Sequence, residues 1–131
     1  MTIPAHSLRL RVLDKTYTFC RLNPGDRVPD WADDPEFSVV IRTRSELGII
    51  CPVPNAPAGV RREGPWRILV VDAILDFNQV GIIASLASPL AEAGISIAPI
   101  ASFDTDYLLV RESELMRAVG VLTQAGHRVA E

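Results

Sequence analysis

Apolar and polar residues alternate from Leu8 to Val12, with Leu8, Leu10 and Val12 on one side and Arg9 and Arg11 on the other, which predicts a half-buried strand. A polar turn, Asp14-Lys15-Thr16, leads to Tyr17–Leu22. There Tyr17, Phe19 and Arg21 alternate with Thr18, Cys20 and Leu22, so the two arms predict a β-hairpin, ended by Asn23-Pro24-Gly25-Asp26. After a polar loop carrying Trp31, Phe37 to Ile41 reads as a third strand. Thr43-Arg44-Ser45-Glu46 is a capping-box pattern that predicts one helical turn, stopped by Gly48, and Ile49-Ile50-Cys51 is a short fourth strand.

From Pro52 to Pro65 the chain holds Pro52, Pro54, Pro57 and Pro65 with Gly59 and Gly64, a density of turn-forming residues that predicts a linker. This sets two modules, residues 1–63 and 64–131. The second reads more regularly. Ile68 to Leu75 forms an apolar strand, followed by a helix capped by Asn78, with Val80, Ile83, Leu86, Ala87, Leu90 and Ala91 on its apolar face. Pro89 should bend this helix by freeing the Ser85 carbonyl, and Gly94 stands where a left-handed C-terminal cap is expected. Ile95–Ala101 and Tyr107–Val110 flank a turn at Asp104-Thr105-Asp106. Leu115, Val119 and Leu122 mark a second helix closed by Gly126, and His127 to Ala130 a last strand. The resulting βαββαβ order is that of a ferredoxin-like, α+β fold with an antiparallel sheet and both helices on one face. The first module has a similar strand count with its helices shortened or replaced by loop, as a degenerate copy would.

Composition narrows the function. With 48% hydrophobic and 22% charged residues, the 131-residue chain can build a true core, which excludes a disordered or fibrous chain. A net charge of −3 without clustered Lys and Arg argues against a nucleic-acid partner. The opening MTIPAHSLRLRVLD lacks a secretory signal pattern and no apolar run is long enough to span a membrane, so the chain reads as cytoplasmic. Cys20 and Cys51, in no CxxC pair and with no adjacent His, read as reduced, buried thiols, a disulfide or metal site being the lesser alternative. No GxSxG elbow, Walker loop or HExxH occurs. His6 and His127 fall in terminal segments, the latter where its cation would suit a helix C-terminus, so neither a catalytic residue nor a cofactor is expected.

The candidate binding chemistry lies around two turns. At Val80-Gly81-Ile82, Gly81 either lets the backbone approach a ligand, whose carboxylate the free N–H groups of a helix start would favour, or permits tight packing of helix on sheet. Asp104 and Asp106 either pair with a ligand's ammonium group or cap their turn by bonding backbone N–H groups, a metal-binding DxD being a remote third reading. Asp76 and Asn78 could cap the helix or reach a ligand, capping being the readier role.

Several segments together resemble the ACT-domain family: Phe37-Ser38-Val39-Val40-Ile41-Arg42-Thr43, Leu75-Asp76-Phe77 through Gly81-Ile82-Ile83-Ala84-Ser85-Leu86, Pro89-Leu90-Ala91-Glu92-Ala93-Gly94-Ile95-Ser96-Ile97, and Phe103-Asp104-Thr105-Asp106-Tyr107-Leu108-Leu109-Val110. Within that family the likeness is to the two-module group related to the CASTOR arginine sensors and aspartokinase regulatory regions, and it is strongest over Leu75 to Val110. The resemblance implies tandem ferredoxin-like modules and non-catalytic regulation by a free amino acid held at an inter-module interface. It assigns Asp106 to the ligand ammonium, and backbone groups of Ser38 and Val39 to the ligand from the first module. It also implies a homodimer; the alternative reading is a protein-interaction module that regulates a partner enzyme through an exposed strand or helix face, without a small-molecule ligand. This chain has no kinase or dehydrogenase domain of the kind the larger relatives carry.

Overall fold

The computed structural model describes residues 4–130. Its elements in chain order are β1 (Arg9–Val12), β2 (Tyr17–Leu22), β3 (Val39–Arg42), β4 (Leu47–Pro52), β5 (Arg61–Val71), α1 (Ile82–Glu92), β6 (Ile97–Ala101), β7 (Asp106–Arg111), α2 (Leu115–Gln124) and β8 (Arg128–Ala130), with short 3-10 turns at Asp30–Ala32, Val53–Asn55 and Glu112–Glu114. The chain is α+β. It divides into two compact units, one made of the residues up to Asp14 with those from Arg67 onward, the other of Lys15–Trp66. The division read from the sequence, between residues 63 and 64, puts β1 with the first module, whereas its contacts group it with the later residues.

In the first of these units the run from β5 through α1, β6, β7 and α2 to β8 follows the expected βαββαβ order. The strands lie in the order β8-β1-β5-β7-β6. A ferredoxin-like sheet is thus widened by β1, which is antiparallel to β5 (Leu10 opposite Val71) and parallel to β8 (Arg9 opposite Arg128). Alternate residues share a face of a sheet, and Leu10, Val12, Leu69, Val71, Leu108 and Val110 all join one core with Ile82, Leu86 and Leu90 of α1 and Leu115, Ala118 and Leu122 of α2. Both helices therefore cover the same face. Gly94, with φ +75°, ends α1 as expected, the Gly94 and Ile95 N–H groups donating to the carbonyls of Ala91 and Leu90.

Pro89 lacks the N–H that would reach the Ser85 carbonyl, and His127 replaces it. The ring is 3% exposed; its Nε2 lies 3.1 Å from the Ser85 oxygen, while its Nδ1 accepts the Leu8 N–H at 3.0 Å. With Nδ1 accepting, the ring proton sits on Nε2 and is donated to Ser85. His127 is thus a neutral, buried connector between the chain entering β1 and the middle of α1, and not a cation at a helix end as its position after Gly126 suggested.

The Lys15–Trp66 unit has strand order β3-β4-β2-β5, with antiparallel pairing throughout. Among the described residues it contains no α-helix. Its core gathers Cys20, Ala32, Ile49 and Cys51, flanked by Leu22, Trp31, Ala56 and Val60. Both cysteines are free and buried, and their thiols lie within hydrogen-bonding reach of each other across β2 and β4. Burial raises the Cys20 thiol pKa and pushes that of Cys51 up to about 12.

Four expectations are corrected. β1 and β2 do not form a hairpin with each other. Each pairs with β5, whose 11 residues are long enough to serve both. Thr43–Glu46 is not a helical turn: Thr43 Oγ1 accepts the N–H groups of Ser45 and Glu46 as a capping box would, but the Thr43 N–H donates to the Glu46 carbonyl and closes the β3–β4 hairpin. The supposed linker ends early, because β5 starts at Arg61 and contains Pro65. Tyr17 faces Trp66 and Phe19 faces Glu63, so Gly64 and Pro65 together oppose Thr18 in a bulge where a residue without N–H is tolerated. Gly64 is required there, since a Cβ would sit 3.0 Å from Thr18 Oγ1 and 3.1 Å from the Tyr17 oxygen. Finally, Asn78 does not cap α1: Gly81 occupies the N-cap position, and the Asn78 N–H is donated to Asp76 Oδ1.

Candidate functional site

The loop leaving β5 and the turn joining β6 to β7 close on a cleft of about 350 Å³ whose walls include Asp76, Phe77, Gly81, Ile82, Thr105 and Asp106. Two backbone-directed hydrogen bonds hold these segments together. The Leu75 N–H donates to the Asp104 carbonyl at 2.7 Å, and Thr105 Oγ1 donates to the Val71 carbonyl at 2.8 Å. Asp76 folds its own loop, its Oδ1 accepting the Asn78 N–H at 2.8 Å and its carbonyl the Gln79 N–H at 3.0 Å.

At the mouth of α1, Gly81 has φ +88° and ψ 0°, the left-handed region that a side chain disfavours. A Cβ at this position would meet only Ala5, at 3.8 Å. Backbone conformation, then, and not close packing of helix on sheet, calls for the glycine. No side chain caps this helix end. The first helical bond runs from the Ser85 N–H to the Gly81 carbonyl, so the N–H groups of Ile82, Ile83 and Ala84 point out of the helix start beside the cleft. Such an end carries partial positive charge and favours an anion.

Asp106, the first residue of β7 and paired with Ala101 of β6, also lines the cleft. Partial burial raises its carboxyl pKa above the ordinary value. The turn before it is held by serine and threonine: Ser102 Oγ donates to the Thr105 carbonyl at 2.9 Å and accepts the Thr105 N–H at 3.2 Å. The cleft lining thus includes both a helix terminus with its backbone donors and a carboxylate.

Of the residues singled out in the sequence, Asp76, Gly81, Ile82 and Asp106 come together in this cleft. Val80 is 85% exposed and does not line it, and Asp104 contributes its carbonyl to the Leu75 N–H. Ser38 and Val39 lie in the Lys15–Trp66 unit. Ser38 Oγ accepts the Asp34 N–H at 3.3 Å and lines a separate depression with Asp30, Asp33 and Val40, while Val39 pairs with Ile50. Sequence reasoning missed Phe77, Phe103, Ser102 and Thr105. The signal for the first two was available, each being a lone aromatic within a polar turn segment. Among the described residues no group of three or more His, Cys, Asp or Glu side chains is placed to hold a metal, and no helix is long and apolar enough to cross a membrane.

A sheet of this order with two helices on one face is a ferredoxin-like α+β architecture, the class to which ACT domains belong. The family model of the ACT domain matches residues 61–124, and a second model, that of the N-terminal domain of a protein family, matches residues 15–58. The crystal structure of protein Atu0741 from Agobacterium tumefaciens is 34% identical, with a TM-score of 0.90, over 98% of this chain and 94% of that one. A Vibrio cholerae protein of unknown function, described as a possible transport protein, superposes with a TM-score of 0.77 at 23% identity, over 93% of this chain and 92% of that one. The structure of aspartokinase alpha and beta subunits gives a TM-score of 0.62 at 16% identity, over 91% of this chain and 97% of that one. No curated protein matches the sequence significantly. The chain belongs to the same family as the Agrobacterium protein, and it carries an ACT domain.

Proposed function

We propose that the protein is a non-catalytic regulatory domain that binds a free amino acid in the cleft between the α1 N-terminus and the β6–β7 turn. The observation that carries this reading is that one cleft of about 350 Å³ is lined both by the start of α1, with the N–H groups of Ile82, Ile83 and Ala84, and by the Asp106 carboxylate. An amino acid presents a carboxylate to the first and an ammonium to the second, and both contacts are charge-assisted. The volume suits a small ligand. Likeness to ACT domains and to aspartokinase structures supports a regulatory role. Within this reading the chain is related to the two-module CASTOR sensors and acts as a homodimer or on a partner enzyme, with the backbone roles of Ser38 and Val39 resting on that resemblance alone.

An NMR titration with free amino acids tests the site. Binding as proposed moves the amide signals of Ile82, Ile83 and Asp106 in a saturable way, and a response at Ser38 and Val39 reports their part separately. A ligand that shifts amides elsewhere and leaves these unmoved refutes the assignment.

A second reading has its own support. Ile74, Phe77, Val80 and Phe103 are 70–85% exposed, and Ile74 and Val80 lie outside the cleft lining. Exposed apolar groups of this kind mark protein contacts, which favours an interaction module acting without a small ligand. Sedimentation analysis alone and with amino acids separates the two, since a pure interaction module associates with no dependence on amino acid.

A further inference from the structure

We propose that the cleft selects an amino acid with an apolar side chain, and that Phe77 and Phe103 determine that selectivity. The inference rests on the amino-acid-binding reading and deepens it. Once the helix N–H groups and Asp106 are given to the backbone-derived charges of the ligand, the walls that remain are apolar at Leu75, Phe77, Ala101 and Phe103 and polar at Asp76, Gln79, Ser102 and Thr105, and the two phenylalanines are the largest of these side chains. The two phenylalanine rings stand edge to face with centroids 5.0 Å apart, yet they are 70% and 81% exposed. They hold each other in place while leaving most of their apolar surface in water, and a ligand side chain laid on them would withdraw both surfaces together.

Charge points the same way. Among the described residues no Lys, Arg or His lines the cleft. An acidic ligand side chain would find no cation there and would be repelled by Asp76 and Asp106. A basic side chain could turn only to Asp76, which is exposed and already has Oδ1 engaged by the Asn78 N–H, and an ion pair so open to water contributes little.

The test is isothermal titration calorimetry of the full chain with L-phenylalanine, L-leucine, L-alanine, L-arginine and L-aspartate, repeated with Phe103→Ala. Because Phe103 is 81% exposed, the variant should fold, and its melting curve verifies this. Leucine or phenylalanine should bind on the order of tenfold tighter than alanine, arginine or aspartate, as burial of an apolar side chain implies. Phe103→Ala should bring leucine and phenylalanine affinity down toward that of alanine. Arginine or aspartate binding as tightly as leucine, or Phe103→Ala weakening alanine and phenylalanine equally, overturns the selectivity while leaving amino-acid binding intact. Silence toward all five overturns the binding reading itself.

Discussion

Replacing Asp106 by Asn separates binding from stability, because the carboxylate that would hold the ligand ammonium is one the free protein does not favour. Partial burial raises its pKa above the ordinary 3.8. Between 3.8 and the raised value the folded protein therefore holds more protons than the unfolded chain, so stability falls as pH rises through that window and levels off above it. Asn keeps the shape, removes the charge and with it this pH dependence. At neutral pH the unliganded variant should melt at the same temperature as wild type or higher, whereas wild type alone should gain stability on acidification into the window. Binding moves the opposite way. A hydrogen bond to a charged group contributes about 1.5–3 kcal/mol, so loss of the Asp106–ammonium contact should weaken amino-acid affinity by roughly 10- to 150-fold. Calorimetric titration and pH-dependent melts of the two proteins provide both readings. A variant less stable than wild type at neutral pH, or one that binds with unchanged affinity, refutes the reasoning.

Three further outcomes follow from the scaffold. His127→Ala strands the buried Leu8 N–H and removes the donor to Ser85, which should cost about 2–4 kcal/mol in urea unfolding; Pro89→Ala, which gives the Ser85 carbonyl an in-helix donor, should then stabilise the His127→Ala background more than wild type. Gly64→Ala should cost about 1–3 kcal/mol, because its methyl would press on Thr18 and the Tyr17 carbonyl within the β2–β5 bulge; an unchanged urea midpoint would contradict this. Cys20 and Cys51, buried and with raised pKa values, should resist a thiol reagent at neutral pH until denaturant opens the unit, and prompt labelling of the native protein would show the burial to be wrong.

The βαββαβ run was legible because its signals are local: the alternating residues of β6 and β7, the apolar faces of α1 and α2, and glycines at both helix ends. The earlier residues misled for physical reasons. Asp14-Lys15-Thr16 has the look of a hairpin turn, but β1 and β2 each pair with β5, a strand far along the chain that the local pattern does not announce. Pro65 read as a linker because the bulge opposite Thr18 that tolerates it is a tertiary feature. In the cleft, Gly81 and Asp106 could be picked out by residue type and turn context. Phe77 and Phe103 are 26 positions apart in sequence, and nothing in the pattern says that their rings meet. His127 was misplaced for the same reason, since the carbonyl that it satisfies belongs to a helix 42 residues away.

Thermal melts of the purified protein against each of the twenty free amino acids test the central claim most directly. A ligand that binds only the native state stabilises it by about 2.7 kcal/mol at a hundredfold excess over Kd. The account predicts a concentration-dependent rise in melting temperature for one or a few amino acids, apolar ones foremost. Unchanged melting curves for all twenty would contradict it.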